Sequence, residues 1–145
     1  GVTDGRNFGA ILRTADAAGA DGVIVSKRDS ASFGPAVAKT ASGADESVDV
    51  VQVPNLSQAL EKLKEHGFWI AGAALDDKAI PYWQLDADMP LVLVLGSEGE
   101  GIGQLVRKHC DFLVQIPMAG TVDSLNVSVA TGVLVYDVVR QRMKG

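Results

Sequence analysis

Cysteine is nearly absent. Cys110 is the one thiol in 145 residues, so no disulfide forms within the chain, and a reducing, cytoplasmic setting is expected. It reads as a small, partly buried core thiol rather than a nucleophile. Histidine is almost as scarce: His66 and His109 each close a predicted helix, where they complement its dipole. No Cys/His cluster has metal-ligand spacing, so no metal is expected. Long apolar runs are missing too. Stretches such as Leu91 to Leu95 fall far below the ~18 residues that span a bilayer, and no charged stretch with an apolar core opens the chain as a secretion signal would. Positive charge is in deficit, with a net charge of −5 and a pI near 4.9. This chain alone should therefore bind nucleic acid weakly, and an RNA role needs a local basic patch or a further domain. There is no Gly-x-Ser-x-Gly elbow and no phosphate loop ending in Gly-Lys-Ser/Thr. Trp69, Tyr82 and Trp83 do not interleave with basic residues as a base-stacking surface would.

What is present alternates between strand and helix. Helices are predicted over Asn7 to Ala18, Phe33 to Thr40, Ser57 to His66, Ile102 to His109 and Val127 to Arg142, with Gly19 and Gly67 ending the first and third. Strands are predicted over Gly22 to Ser26, Val48 to Val53, Phe68 to Ala73, Leu91 to Leu95 and Phe112 to Ile116. Near-continuous apolar strands alternating with helices imply an α/β domain, a mostly parallel sheet flanked by helices. The length suits one domain over residues 1–145. Asp76 to Asp88 is the least regular stretch and reads as an exposed excursion before a central strand, Leu91 to Leu95. Val127 to Val139 carries a single charge, Asp137. A helix apolar nearly all round is buried on both sides, one against the sheet and the other against a second subunit. Arg140 and Arg142 at its end complement the dipole. Gly1-Val-Thr-Asp opens directly into a motif without a leading strand, which reads as a fragment lacking an upstream segment.

Three segments hold groups suited to chemistry. Gly96-Ser-Glu-Gly-Glu-Gly-Ile-Gly103 follows a strand and opens a helix, so backbone can approach a ligand closely there. Its spacing does not fit the dinucleotide pattern, which excludes a Rossmann oxidoreductase. Glu98 has little packing reason to stand among these glycines. Asp4 to Thr14 carries Asn7, which can cap the following helix. It also carries Arg6 and Arg13, which are either solvated charges or a bidentate grip on phosphate. Ile116 to Ala130 runs from a loop of small and polar residues into the buried last helix. Ser124 and Asn126 thus sit at a helix start, with its open N–H groups and positive dipole end.

Together these segments resemble the three motifs of the SpoU-type RNA ribose 2′-O-methyltransferases. The matching residues are Asn7-Phe-Gly-Ala-Ile-Leu-Arg-Thr14, Leu93-Val-Leu-Gly-Ser-Glu-Gly-Glu-Gly101 and Ile116-Pro-Met-Ala-Gly-Thr-Val-Asp-Ser-Leu-Asn-Val-Ser-Val-Ala130. Lys39-Thr-Ala-Ser-Gly-Ala44 and Tyr136-Asp-Val-Val-Arg-Gln-Arg142 bring the resemblance nearest to the bacterial 23S rRNA guanosine-2′-O-methyltransferases. The first motif departs from the usual Asp-Pro-x-Asn, with Gly5 in place of proline, which loosens the loop without removing a functional group.

The resemblance implies an α/β fold with a C-terminal trefoil knot, an exception to ordinary chain connections. It also implies S-adenosyl-L-methionine as cofactor, RNA as substrate, a homodimer through the C-terminal helix, and a small N-terminal RNA-binding domain missing here. Carried over by position, backbone around Gly96, Ile116, Met118 and Leu125 would hold the adenosine. Asn7, Arg13, Glu98, Ser124 and Asn126 would form the catalytic cluster. Arginine is a poor base at neutral pH, since its pKa exceeds ~12, so Arg13 is expected to hold the target phosphate and stabilise a developing alkoxide. Two alternatives stand beside 23S rRNA methylation: a transfer-RNA ribose target, and a cofactor-binding and dimerisation module inactive without its RNA-binding domain.

Overall fold

Two glycines stop two helices by the same hydrogen-bond pattern. The computed structural model describes residues 5–20, 22–26, 49–74, 76–95, 104–122 and 125–143. Helix α1 (Gly5–Ala17) ends where Gly19 adopts a φ of 77°. There Ala20 N–H donates to Ala15 O at 2.9 Å and Gly19 N–H to Asp16 O at 3.1 Å. Helix α2 (Leu56–Glu65) ends likewise at Gly67, with a φ of 91°. Phe68 N–H donates to Leu63 O and Gly67 N–H to Lys64 O, both at 3.0 Å. These paired bonds satisfy carbonyls that the helices leave open, and the left-handed residue they require favours glycine. At its other end α2 is capped by Asn55, whose side chain accepts from Gln58 N–H at 3.1 Å. His66 has the helix-end role expected of it, with Nδ1 2.7 Å from Lys62 O.

The strands are β1 (Gly22–Ser26), β2 (Asp49–Val53), β3 (Trp69–Ala73), β4 (Ile80–Pro81), β5 (Leu91–Val94) and β6 (Phe112–Gln115). The remaining α-helices are α3 (Gln104–Arg107) and α4 (Val127–Met143), and Tyr82–Gln84 form a single 3-10 turn. Every described strand pair is parallel. β1 pairs with β2, and the other four form a sheet in the order β4-β6-β3-β5. Trp69 lies opposite Leu91, and Ala71 opposite Phe112. The expected α/β class with a parallel sheet flanked by helices is therefore observed. The helix expected over Phe33 to Thr40 lies outside the described residues.

Period-two alternation sorts side chains to two buried faces. Ile70 and Val94 turn to one face, where Leu60 of α2 seals them together with Val92, Cys110 and Leu113. Ala71 and Val114 turn to the other, against Leu85 and Leu134 of α4. Burial on both faces is why these strands read as unbroken apolar runs. Thr131, buried within α4, satisfies its hydroxyl by donating to Val127 O at 2.7 Å. Among the described residues no helix is long and apolar enough to cross a membrane.

Among the described strands, β5, within Leu91 to Leu95, pairs with β3 at one end of the four-stranded sheet. Two expectations need correction. Asn7 does not cap α1, because the helix starts at Gly5 and Asn7 falls inside its first turn. Asp76 to Asp88 is no exposed excursion. Ile80–Pro81 adds to the sheet beside β6, at an edge where proline's missing N–H is tolerated. Ala79, Leu85 and Ala87 are buried, Ala87 completely, while Asp86 and Asp88 stay exposed. The segment has no helical or strand period, so its burial does not show as a pattern. It is bound by α4: Gln141 accepts from Ala87 N–H at 2.9 Å and donates to Leu85 O at 2.8 Å. Arg142 donates to Ala87 O at 3.2 Å and Met89 O at 2.7 Å, so it does more than complement a dipole.

A cavity of about 720 Å³, lined mostly by aliphatic side chains, separates the β1–β2 pair from β5.

Gln141→Ala removes both bonds to the Leu85–Ala87 backbone and leaves a buried N–H without a partner. Equilibrium urea unfolding is expected to show a loss of about 2 kcal/mol, against about 0.5 kcal/mol or less for the exposed Gln84→Ala. Equal midpoints for the two variants would show that the clamp contributes nothing.

Candidate functional site

In a parallel sheet the carboxyl ends of all strands share one edge, and loops leaving that edge converge. β5 and β6 flank β3, so the segments following them start about 10 Å apart, two strand spacings. Those segments are Gly96–Gly103 and the loop from Ile116. The loop after β3 leaves between the ends of β5 and β6 and is pinned on both sides. Arg107 of α3 bonds Asp76 at 2.8 Å, and Gln115 at the end of β6 donates to Ala79 O at 3.0 Å.

The loop from Ile116 alternates in burial. Ile116 and Met118 are half-buried, and Pro117, Ala119, Gly120 and Thr121 are exposed. Ile116 packs against the Ala71–Val114–Leu134 cluster, which anchors the loop and leaves its backbone at the surface. Space beyond Gly120 is open. The loop returns through Leu125, half-buried, to the start of α4. There Asn126 is the cap: its Oδ1 accepts from Ser128 N–H at 2.8 Å and from the Ser128 hydroxyl at 2.6 Å. Ala130 N–H completes the first turn to Asn126 O at 2.9 Å. The capping bond and its partner Ser128 were not anticipated from sequence, although Asn-x-Ser ahead of an apolar helix is a readable signal.

Arg13 stands exposed on α1 while Leu12 and Ala15 of the same helix are buried. Among the described residues no carboxylate pairs with it. α1 packs along α4, which joins the helix bearing Arg13 to the helix that Asn126 caps. Of the other expected site residues, Gly96, Glu98 and Ser124 lie outside the described residues, as does the side chain of Asn7. The described part of the site is thus Arg13, Ile116, Met118, Leu125 and Asn126. Asp76, Arg107 and Gln115 are the supporting residues that sequence reasoning missed, because their partners lie 31 and 36 positions away.

Cys110 is not a competing nucleophile. Burial raises its pKa above the ordinary value and the neighbouring Asp111 adds to this, while Lys64 and Arg107 oppose it less strongly. The thiol stays protonated at neutral pH. Asp111 itself is structural, accepting from Ile70 N–H at 2.8 Å and pairing with Lys64 at 3.2 Å. Among the described residues no group of His, Cys, Asp or Glu is arranged to hold a metal ion.

The profile of the SpoU rRNA Methylase family matches residues 1–136. The chain is 55% identical over 142 residues to the 23S rRNA (guanosine-2'-O-)-methyltransferase RlmB of Pseudomonas putida, covering 98% of this chain and 57% of that protein. It is 51% identical to a putative TrmH family tRNA/rRNA methyltransferase of Staphylococcus haemolyticus, with the same coverage. The chain therefore spans a little over half the length of these curated relatives. Among solved structures, the TrmH/SpoU tRNA modifying enzyme of A. aeolicus superposes with a TM-score of 0.92 at 33% identity, over 99% of this chain and 73% of that one. The SpoU methyltransferase AviRb of Streptomyces viridochromogenes, in complex with AdoMet, superposes with a TM-score of 0.89 at 30% identity, over 99% and 58%. These neighbours are of the knotted methyltransferase type that the motifs suggested.

Because Asn126 caps α4 through its side-chain oxygen, Asn126→Ala is expected to cost about 1 kcal/mol in thermal or urea unfolding. Asn126→Asp keeps the acceptor and is expected to stay within about 0.5 kcal/mol of the parent. Equal stability of all three proteins would exclude the capping role.

Proposed function

This chain belongs to the SpoU rRNA methylase family, and on that premise we propose that it is the catalytic domain of an S-adenosyl-L-methionine-dependent RNA ribose 2′-O-methyltransferase. The proposed target is a guanosine of 23S rRNA. The observation that carries this reading is that β5 and β6, which lead into two of the motif segments, end at one edge of the sheet, and that the loop from Ile116 at that edge leads to the capped start of α4. α1, which carries Arg13 of the remaining motif segment, packs along α4. Identity of 55% to a 23S rRNA enzyme favours ribosomal RNA. The likeness to a tRNA modifying enzyme at 33% identity supports a transfer-RNA target as the second reading.

The residues present fit the adenosine part of the cofactor. Ile116 is anchored in the core, Met118 and Leu125 are half-buried, and the small residues Ala119 and Gly120 leave the loop backbone accessible. Backbone at Gly96, Ile116, Met118 and Leu125 would hold it. When bound, the cofactor supplies a methyl group already activated on a sulfonium, so positioning is the protein's main contribution. Arg13, exposed and unpaired among the described residues, would hold the phosphate beside the target ribose and stabilise charge developing on the 2′-oxygen. Asn126 commits its oxygen to the helix cap, so its amide N–H groups are what it would offer the ribose or Arg13. Asn7, Glu98 and Ser124 complete the proposed cluster. The proton leaves late, to the bound phosphate, Glu98 or water.

The net charge of −5 supports an RNA-binding domain elsewhere in a longer protein, without which this domain would bind cofactor and a partner but not methylate. The exposed Val129 and Tyr136 on α4 support a homodimer through that helix, and the reaction class fits the cytoplasm.

Calorimetric titration of S-adenosylmethionine and methyl transfer to 23S rRNA and to tRNA test the reading. Arg13→Ala in the longer protein is expected to lower kcat by roughly 100-fold or more with cofactor Kd nearly unchanged, and Arg13→Lys is expected to recover part of it. Full activity in Arg13→Ala would overturn the role of Arg13, and absence of cofactor binding would overturn the reaction itself.

A further inference from the structure

Two ion pairs of nearly equal exposure stand at opposite edges of the sheet. At the amino edge Lys64 meets Asp111 at 3.2 Å, and at the carboxyl edge Arg107 meets Asp76 at 2.8 Å. The first has a plain structural duty, since Asp111 also receives the Ile70 N–H near the start of β3. The second holds no strand and instead joins a four-residue helix to a turn. Half-exposed ion pairs add little to global stability. Arg107 Nε is moreover buried without a hydrogen-bond partner among the described residues, a cost to folding that a side chain lacking that N–H avoids.

The Arg107–Asp76 contact is the first link of a continuous path. Asp76 divides its carboxylate: Oδ2 accepts from Arg107 at 2.8 Å, and Oδ1 accepts from Lys78 N–H at 2.7 Å. The Asp76 carbonyl accepts from Ala79 N–H at 2.9 Å, which closes the turn. The Ala79 carbonyl in turn accepts from Gln115 Nε2 at 3.0 Å. Ala79 is buried, so the turn is seated in the core. The path thus runs from α3, through the turn after β3, to the last residue of β6. In the chain, the Gly96–Gly103 segment ends at α3, and Gln115 is followed directly by Ile116. A helix of four residues does not hold its own place, so the exit of the Gly96–Gly103 segment depends on what tethers α3.

We propose, resting on the cofactor reading above, that Arg107, Asp76 and Gln115 form one positioning unit for S-adenosylmethionine. These side chains touch no cofactor. They set the spacing between the two segments whose backbone holds it, and a misplacement of ~1 Å in binding groups is enough to weaken a site. The links are in series, so breaking any one releases the same spacing. Losses of affinity from two breaks therefore do not add. A purely structural role behaves otherwise, lowering stability while the folded molecules bind as before.

Calorimetric titration of S-adenosylmethionine, methyl-transfer kinetics and thermal unfolding of the longer protein test it. Arg107→Ala and Gln115→Ala are each expected to raise cofactor Kd and KM by ~10-fold, with kcat at saturating cofactor largely retained. The double variant is expected to bind as its weaker single does. Arg107→Lys keeps a cationic donor for Asp76 and is expected to recover most of the affinity. Asp76→Asn keeps the acceptor for Lys78 N–H, weakens the ion pair and is expected to fall between, which serves where an alanine variant fails to fold. Lys64→Ala breaks the matched pair at the other edge and is expected to leave cofactor Kd unchanged. Parent-like Kd in the Arg107, Asp76 and Gln115 variants would overturn the proposal. So would additive losses in the double variant, or an equal loss in Lys64→Ala. A parent protein that binds no S-adenosylmethionine overturns the cofactor reading itself, and this unit with it, before any variant is compared.

Discussion

Strand β3 is held from every direction, and the positions of the other elements follow from it. β5 and β6 pair with its two edges, and Ile70 and Ala71, fully buried, commit its two faces to different helices. Its entrance is tied by a two-way exchange with Asp111, which receives the Ile70 N–H on its carboxylate and returns its own N–H to Ile70 O. A parallel strand fixed in this way leaves its neighbours little choice of register, since a slip by one residue would exchange the faces of an apolar strand. The points at which β3, β5 and β6 end at the carboxyl edge are therefore set by the sheet before any ligand is met.

Around this frame the molecule spends polar side chains on holding irregular backbone in place. Gln141 and Arg142 of α4 satisfy the peptide groups of Leu85, Ala87 and Met89. Asp76 and Gln115 tie the start of the same segment to α3 and β6. A segment with no periodic structure can enter the interior only if its N–H and C=O groups find such partners. The same economy is seen at the site: Asn126, proposed to face the ribose, also starts α4 through its side-chain oxygen. If the proposed role holds, a substitution there acts on folding and on chemistry together, and changes that spare the oxygen separate the two.

Features governed by near neighbours were readable from the sequence. Gly19 and Gly67 end their helices through bonds that span three to five residues, and the apolar runs became strands because both faces of the sheet are covered. The motif segments pointed to the family on residue identity alone, and the structure ends β5 and β6 at one edge. The places where expectation failed depended on distant partners. The burial of Ala87 rests on Gln141, 54 residues away. Asn7 was expected to cap α1, yet the helix begins two residues earlier.

By itself the sequence determined the alternation of strand and helix, the helix ends and the membership of the family, because each is written in local spacing and residue type. Only the tertiary structure decided that β5 and β6 flank β3 and that the stretch from Asp76 to Asp88 folds inward. The physical reason is that strand order and burial of irregular backbone are set by which remote groups complete each hydrogen bond and cover each face. Such partnerships leave no trace in the spacing of neighbouring residues.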